Sequence, residues 1–410
     1  MKNIAVVGGG PIGLYLAIRL SHVMEEVHVP TQVVVIEPRL DEYNTPGFVA
    51  KNVLDVLTRK VALDPRHFRE GGDNGNSIFI MDLETALCLE AKKHKIRFIK
   101  AEFVDLQQGQ LQFSNGSSLS CSITLDCTGS RRLLVRKINE KFPSRKRPFT
   151  IERIAYNPVK HHLAVHTTMN TLNARLITDK IAHNPLKHVL TLERLRHEFG
   201  WPEFIEPELG IKRYALSGAP EWQGVYFYVE IPPKLFRAGF EELMDWLKAV
   251  IQLKTELESV DFIKNQNETR YRTFQLDPCK VTEPLFQGGQ GLPKVIPCGG
   301  AQIDPDYGAG IGLRSGLFRA EALMDALKPD GEFLTFVPDI YERKLREPLG
   351  YQERLLVSEY QRKRKRITAA LRKEKTLYAE ALTLATDPDE QAIIQAGLND
   401  LQDRHCLKAV

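Results

Sequence analysis

A glycine-rich stretch near the start of the chain constrains the fold more than any other feature of the sequence. The segment NIAVVGGGPIGLYLAIRL begins with an apolar run, Ile4 to Val7, of the kind that a strand buried on both faces requires. The glycines Gly8, Gly10 and Gly13 follow in the spacing GxGxxG, and an apolar helical face begins at Leu14. This order predicts a buried strand, a tight turn and a helix.

The same turn has the properties of a dinucleotide site. Gly8 permits the turn, Gly10 lets a diphosphate approach the backbone, and Gly13 lets the helix pack closely on the strand. The free N–H groups of the helix N-terminus favour an anion. Further on, QVVVIEPR predicts a second buried strand, and Glu37 at its end can accept from a ribose hydroxyl. We therefore predict a Rossmann-like domain; a glycine-rich turn in an unrelated α/β fold is the alternative.

Composition excludes several classes of protein. The 410 residues suffice for two or three domains, and 43% hydrophobic with 26% charged residues is ordinary for a globular protein. A net charge of +4 gives no argument for nucleic acid, and no apolar run is long enough to predict a transmembrane helix. The six cysteines show no C-x-x-C pair, which favours reduced thiols and a cytoplasmic location.

A second glycine-rich stretch, VIPCGGAQIDPDYGAGIGLRSG, lies between Val295 and Gly316. Its apolar start predicts a strand, and the LFRAEALMDAL that follows predicts a helix. Glycines let the backbone approach a ligand closely, and a helix N-terminus stabilises negative charge. The stretch therefore predicts a second strand, glycine-rich turn and helix able to contact a ligand; a glycine-rich loop before a core helix is the alternative.

The first loop resembles the FAD-binding N-terminus of the aromatic hydroxylases typified by para-hydroxybenzoate hydroxylase. GGGPIGLYLA is similar to that family's G-x-G-P-x-G-L-x-L-A, and VIEPR is similar to its strand-end glutamate with an arginine close behind. Pro11 and Leu14 favour FAD over NAD on this resemblance. The cofactor-binding residues that it implies here are Gly8, Gly10, Pro11, Ile12, Gly13, Glu37 and Arg39.

The middle of the chain extends the resemblance with two departures. In LDCTGSRR, Thr128 stands where the family has the aspartate of an Asp-Gly pair, and Gly129 keeps the glycine. This form is closer to the geranylgeranyl reductase and halogenase branches. Met81 stands at the head of a predicted helix where relatives often have an arginine or glutamine. Phe103 lies where the family's backbone meets adenine.

The second loop is similar to the family's Gly-Asp followed by Pro-x-x-Gly-x-Gly, where the aspartate binds a ribityl hydroxyl. Gly300 takes the place of that aspartate, and Asp304 or Asp306 is the predicted substitute. The resemblance implies cofactor contacts from Gly300, Asp304, Gly308, Ala309, Gly310, Ile311 and Gly312. It assigns Pro305, Gly308 and Gly310 to the reacting edge of the flavin.

The predicted fold class is α/β with a discontinuous FAD domain of residues 1–148 and 274–337. Residues 149–273 are predicted to form a sheet-rich substrate domain, with strands at HHLAVHTT, KHVLTLERL, GIKRYALSG and GVYFYVEIP. Alternation places His162 and His166 on one strand face and His161 on the other, so no metal site is predicted. Residues 338–410 are predicted to be a helical extension.

The resemblance implies an NAD(P)H-dependent monooxygenase that hydroxylates a small aromatic or apolar substrate through a flavin C4a-hydroperoxide. An FAD-dependent reductase of the geranylgeranyl reductase type is the alternative within enzymes. A catalytically silent flavin- or nucleotide-binding module is the alternative from another class, with the basic run Arg362–Arg366 as its partner-binding surface. We favour a solvated helix face for that run. A homodimer is compatible with the family, and no nucleic-acid partner is favoured.

Overall fold

The computed structural model describes residues 2–28, 30–64, 68–71, 75–177, 184–216, 219–255, 257, 260, 262, 270–306, 310, 312–330 and 333–408. The strands are β1 (Lys2–Val7), β2 (Thr31–Ile36), β3 (Phe48–Ala50), β4 (Glu70–Gly71), β5 (Ser77–Phe79), β6 (Ile96–Ile99), β7 (Phe103–Gln107), β8 (Gln110–Phe113), β9 (Ser118–Ser120), β10 (Ile123–Asp126), β11 (Ile151–Arg153), β12 (His161–Asn170), β13 (Leu209–Ala215), β14 (Trp222–Glu230), β15 (Arg270–Gln275), β16 (Cys279–Val281), β17 (Lys294–Pro297), β18 (Leu327–Asp330) and β19 (Phe333–Phe336). The α-helices are α1 (Pro11–Glu26), α2 (Val53–Leu57), α3 (Ile80–Ala91), α4 (Leu133–Glu140), α5 (Thr171–Leu176), α6 (Pro185–Phe199), α7 (Phe240–Thr255), α8 (Gly312–Asp325), α9 (Pro338–Leu384) and α10 (Pro388–Lys408).

The chain divides into two compact units. Unit 1 consists of Met1–Glu70, Asn76–Tyr156 and Asp277–Glu359. Unit 2 consists of Gly71–Gly75, Asn157–Leu276 and Tyr360–Val410. The helical residues after 337 are thus shared between the two units. Among the described helices, none combines the length and the apolarity that crossing a membrane requires.

Unit 1 is built on a five-stranded parallel sheet in the order β17-β10-β1-β2-β6. Alternate residues of β1 serve two cores: Ile4 and Val6 belong to one that includes α1, α3 and α8, and Ala5 and Val7 belong to another that includes α4 and the sheet β7-β8-β9. A strand covered on both faces must be apolar throughout, which accounts for the unbroken IAVV. The predicted α/β class with a parallel sheet is confirmed.

Unit 2 contains a four-stranded antiparallel sheet in the order β13-β14-β12-β15. One face buries Leu163 and Val165 of β12 together with Phe227 and Val229 of β14, in a core completed by helices such as α6 and α7. The opposite face carries cross-strand aromatic pairs, His162 with Tyr228 and His166 with Tyr226. The predicted division of the histidines between the two strand faces agrees with this register.

One predicted strand in this region is wrong. KHVLTLERL belongs to helix α6, which begins at Pro185 and ends before Gly200. The Asn184 side chain accepts from the backbone N–H of Leu186, at 3.0 Å, and caps the helix. Gly200 is left-handed, with φ of 70°, as is usual just after a helix. These stop and start signals outweigh the β-branched residues within the segment.

The basic run lies in α9, where Arg362, Arg364, Lys365 and Arg366 are exposed. Lys363 is different: its ammonium forms an ion pair with the fully buried Glu230. Ile367 and Leu371 of the same helix are buried. The run is therefore the solvated face of a packed helix with one inward-facing lysine, as the sequence favoured.

Candidate functional site

The first glycine loop lies at the carboxyl end of β1 and leads into α1. Gly8 has φ of 105°, which a side chain would strain, and its N–H donates to Ile36 O at 2.9 Å. A Cβ at Gly13 would collide with Gly8 O and lie 3.2 Å from Cys127 Cβ. Both glycines are therefore required for the close crossing of α1 over β1, as their spacing predicted.

Gly10 differs from these two because the space around it is open. Among the described residues, a Cβ there would meet only one atom within 4 Å, Glu84 Oε1 at 4.0 Å. Gly10 precedes Pro11 at the first position of α1, and the first turn carries no acidic residue and no side-chain cap. The helix N-terminus is thus left with N–H groups and a positive dipole end directed to this space. Such an arrangement can hold a diphosphate.

Glu37 follows β2 at the next strand end, and its carboxylate is 3% exposed. Oε2 accepts from Gly9 N at 2.7 Å and from Arg39 NH2 at 3.2 Å. Oε1 accepts from Arg39 N and Nε, both at 2.9 Å. Burial by itself raises the pKa of Glu37, but the hydrogen bonds from Arg39 and Gly9 hold that pKa below its ordinary value. All four usual acceptor positions of the carboxylate are occupied.

A residue that sequence reasoning missed, Glu84 of α3, lies beside this pair. Its carboxylate is 3% exposed, and Oε1 is 3.5 Å from Arg39 NH1. Within the described part of the chain, Oε2 is buried and accepts no hydrogen bond. The sequence signal that could have identified Glu84 is its position on an apolar helix face, where Met81 and Cys88 are also buried.

The loop after β10 is held together by Asp126, which is fully buried. Its Oδ1 accepts from Thr128 N at 3.1 Å and Thr128 Oγ1 at 2.6 Å, and its Oδ2 accepts from Leu134 N and Val135 N at 3.0 Å. Burial raises the pKa of Asp126, and these hydrogen bonds oppose the rise. The Thr128 hydroxyl is directed inward to this carboxylate. A Cβ placed on Gly129 would meet no atom of the described residues within 4 Å.

The second glycine loop begins after β17, and Gly300 lies against the loop after β10. A Cβ at Gly300 would stand 3.2 Å from Gly129 Cα and 3.6 Å from Pro305 Cδ. The absence of the family's aspartate therefore goes together with a close approach of two backbone turns. Any side chain at Gly300 has to displace Gly129 by a few tenths of an ångström.

Asp304, a predicted substitute for that aspartate, is engaged inside unit 1. Its Oδ1 is 2.8 Å from Arg132 NH2, and its Oδ2 accepts from Cys279 N at 2.8 Å. Burial raises the pKa of the Asp304 carboxyl, and the Arg132 guanidinium opposes that rise without cancelling it. A ribityl hydroxyl would have to compete with Arg132 for this carboxylate. Asp306, the other candidate, is also buried.

The remaining predicted residues are less informative. Gly308, Ala309 and Ile311 lie outside the described residues. A Cβ at Gly310 would meet no atom of the described residues within 4 Å, and its neighbours on both sides lie outside that set, whereas a Cβ at Gly312 would collide with Pro305 Cβ. Phe103, predicted to lie near the adenine, begins β7 and packs in an apolar core. The sulfur of Met81, which stands where relatives often have an arginine or glutamine, accepts from Arg69. Their roles toward a cofactor stay predictions.

Ile12 connects the two glycine loops. A Cβ at Gly299 would stand 3.1 Å from Ile12 Cγ1, and one at Gly316 would stand 2.9 Å from Ile12 Cδ1. The isoleucine side chain thus lies against the bare Cα atoms of the second loop and of α8. The structure brings the two loops together through this contact.

Arg319 of α8, also missed from the sequence, supports the second loop from behind. It is 2% exposed and donates to Gly299 O at 3.1 Å, to Ser315 Oγ at 2.8 Å and to Gln352 Oε1. Burial lowers the pKa of Arg319 to about 10. The arginine cross-links the turn and the helix, and it remains charged near neutral pH.

Comparison with known proteins is informative only at the level of structure. The sequence matches no protein-family model and no curated protein. The Diels–Alderase PyrE3 of pyrroindomycin biosynthesis matches over 96% of this chain and 80% of its own, with 16% identity and a TM-score of 0.56. OxyS, the anhydrotetracycline hydroxylase from Streptomyces rimosus, matches over 96% and 76%, with 12% identity and a TM-score of 0.54.

A third similar structure is Xcc4156, a flavin-dependent halogenase from Xanthomonas campestris. It matches over 85% of this chain and 74% of its own, with 12% identity and a TM-score of 0.51. Identities this low establish a shared fold and leave the reaction open, since the three proteins are named for three different reactions. The fold predicted from the two glycine loops is confirmed: this chain has the fold of the hydroxylase OxyS and the flavin-dependent halogenase Xcc4156.

Proposed function

We propose that this protein is an FAD-dependent oxidoreductase. The observation that supports this most is the open space at Gly10, in front of the uncapped N-terminus of α1. That helix follows β1, which lies where the strand order reverses, with β2 on one side and β10 on the other. Ligands of parallel α/β sheets bind outside the carboxyl ends of strands at such a point.

The residues around Gly10 fit the adenosine diphosphate half of FAD. The α1 N-terminus would hold the diphosphate, and Glu37 would accept from a ribose hydroxyl. Because four hydrogen bonds already occupy the Glu37 carboxylate, a ribose hydroxyl would replace one of the Arg39 contacts. Arg39 is partly exposed and can move aside.

The flavin half would lie toward the second glycine loop. Among the described residues, no atom lies within 4 Å of a Cβ placed on Gly129, so backbone can approach a planar ring there. Bound FAD would supply the transfer of electrons between a reductant and a substrate or oxygen. The chain's own contribution would be to position the ring on backbone groups, with Arg132–Asp304 and Arg319 fixing the loops.

Within this class we propose NAD(P)H-dependent monooxygenation of a small organic molecule, with unit 2 as the substrate domain. The sheet of unit 2 supports the domain assignment because its aromatic face, with Tyr226 and Tyr228, is suited to a planar apolar molecule. OxyS, named as a hydroxylase, has the same fold. The side chains that would select the substrate lie outside the sequence motifs, so the motifs do not identify the substrate.

The first experiment is the absorbance spectrum of the purified protein, followed by release and quantification of any flavin. We expect FAD at close to one per chain, or its uptake on titration into FAD-free protein. Failure to take up FAD at any pH overturns the proposal. Gly10→Ala should weaken FAD binding. Gly116→Ala, in the turn between β8 and β9, should leave binding unchanged, although the φ of 78° at Gly116 strains that variant.

The second experiment separates the reactions available to this fold. NAD(P)H consumption coupled to oxygen uptake on adding a substrate supports the monooxygenase. Oxygen-independent saturation of a double bond supports the reductase instead. Flavin binding with neither activity favours a protein in which FAD is not turned over. That outcome is worth testing because PyrE3, of similar structure, is named for a Diels–Alder reaction rather than an oxidation.

A further inference from the structure

The buried acid Glu84 is placed where a bound diphosphate would affect it. Its Oε1 lies 4.0 Å from the position of a Cβ on Gly10, at the N-terminus of α1. Its other oxygen is buried and accepts no hydrogen bond from the described residues. An ionised carboxylate in such surroundings is costly, because burial penalises charge that is not fully paired.

The cation available to Glu84 is shared with another acid. Arg39 makes three of the four hydrogen bonds to Glu37, at 2.9–3.2 Å, and lies 3.5 Å from Glu84 Oε1. Two carboxylates therefore divide one guanidinium, and Glu84 has the weaker share. A diphosphate in front of Gly10 would add further negative charge to this cluster.

The other ionisable groups packed around α3 do not compensate Glu84. On α1, Arg19 pairs with Glu321, and His22 lies against His94. On α3 itself, Asp82 pairs with Arg69, and Cys88 is a buried thiol. On the segment after β2, Tyr43 lies under the Arg39 guanidinium, and Asp41 pairs with Lys92.

Burial raises the pKa of Glu84 to about 7, and the nearby Glu37 carboxylate adds to the rise, while Arg39 and Thr45 oppose it. The ligand-free protein would therefore hold Glu84 partly protonated at neutral pH. The charges around Arg39 lead to the same conclusion. With a diphosphate bound, one guanidinium faces two carboxylates and the phosphates, so protonation of one carboxylate reduces the excess of negative charge.

We propose that Glu84 takes up one proton from solvent when a dinucleotide binds at the first glycine loop. The inference rests on the proposed function, since it assumes that FAD is the dinucleotide. The single bond that forms is O–H on the Glu84 carboxyl, and the proton comes from water or buffer. The neutral acid removes one negative charge from the site and gives the unpaired oxygen a proton to share.

The test is a titration of FAD-free protein with FAD between about pH 6 and pH 9, followed by calorimetry in two buffers of different ionisation enthalpy. We expect a Kd that is nearly constant below about pH 6.5 and that rises by up to about tenfold per pH unit above pH 7. At pH 8 the two buffers should report uptake of about one proton per FAD. Binding of ADP, used as a second probe, should be accompanied by the same proton uptake at Glu84.

Variants assign the proton to its residue. Glu84→Gln keeps the shape of the side chain and should bind FAD with a Kd independent of pH and no proton uptake. Glu90→Gln is the matched control, because Glu90 is a buried acid of the same helix that pairs with Lys93. That control should keep the wild-type slope and uptake.

Three outcomes have distinct meanings. FAD binding with no proton uptake, or ADP binding without it, overturns this inference and leaves the proposed function standing. Uptake that persists in Glu84→Gln also overturns it. Failure of wild-type protein to bind FAD at any pH overturns the proposed function, and this inference with it.

Discussion

At the first glycine loop the space in front of Gly10 is open, whereas the described glycines that begin the second loop are closed against protein atoms. Gly299 faces Ile12, and Gly300 faces Gly129. In the first loop the glycines allow α1 to cross closely over β1 and leave the N-terminus of α1 free. In the second loop the glycines allow close packing, and Asp304 is held in an ion pair with Arg132. Similar glycine content therefore serves ligand approach in one loop and mutual packing in the other.

The largest expected effect is that of Gly13→Ala. Its Cβ would collide with Gly8 O and press on Cys127 Cβ, so α1 would have to leave its place over β1. We expect a loss of about 4 kcal/mol in the free energy of unfolding, or no folded protein. Gly10→Ala should cost less than about 1 kcal/mol, as a changed N-cap in open space. Equal losses in urea denaturation would erase the distinction between these two glycines.

Asp304→Asn tests whether the acid of the second loop is structural. Arg132 would remain buried without its counter-charge, and we expect destabilisation by about 3 kcal/mol. Asp325→Asn breaks an exposed pair with Lys344 and should cost about 0.5 kcal/mol or less. Chemical denaturation of FAD-free protein measures both. A small effect at Asp304 would make that carboxylate available to a ligand, as the sequence predicted.

Glu84→Gln should stabilise the ligand-free protein in a pH-dependent way. The native pKa of Glu84 is raised to about 7, so the native state binds more protons than the unfolded state from about pH 4.5 to pH 7. Wild-type stability therefore falls as pH rises through that window. The variant lacks this penalty and should gain up to about 3 kcal/mol at pH 8, and almost nothing at pH 4.5. Thermal unfolding across this range would show parallel curves if Glu84 had an ordinary pKa.

Controls aside, the smallest effect is expected at Gly300. Gly300→Ala should cost about 1 kcal/mol, because its Cβ would stand 3.2 Å from Gly129 Cα and the two turns would have to separate slightly. Gly300→Asp restores the residue type that the family has at this position, but its Cβ requires the same displacement of Gly129. We expect no gain in FAD affinity from it, measured by fluorescence titration. A clear gain would show that the second loop tolerates a side chain and holds the ribityl chain in the family's way.

The sequence was sufficient for the parts of unit 1 that follow local rules. The apolar run before Gly8, the GxGxxG spacing and the acid at Glu37 determined strand, turn, helix and second strand without reference to distant residues. The sequence was insufficient where contact with a residue far along the chain determines the local structure. Nothing in CGGAQIDP shows that Arg132 engages Asp304, or that Gly300 meets Gly129, because these contacts join segments far apart in the chain.

Two errors have physical causes of the same kind. KHVLTLERL was assigned to a strand from its β-branched and leucine content, while the helix is set by Asn184, Pro185 and Gly200 outside the quoted segment. Glu84 is missed from the sequence because it belongs to no motif and its helix neighbours Leu83 and Leu87 are apolar. A carboxylate inside an apolar stripe deserves the same weight as a motif residue, since its burial has to be compensated.

The contact of Ile12 with Gly299 and Gly316 bears on protein engineering. The second residue of the helix that follows the GxGxxG turn, Ile12, packs against Gly299 and Gly316, which lie far along the chain. A designer who grafts residues 4–37 into another scaffold would leave the Ile12 side chain exposed. The transferable part of this site is a pair of segments, and the graft has to include the Gly299 turn and α8.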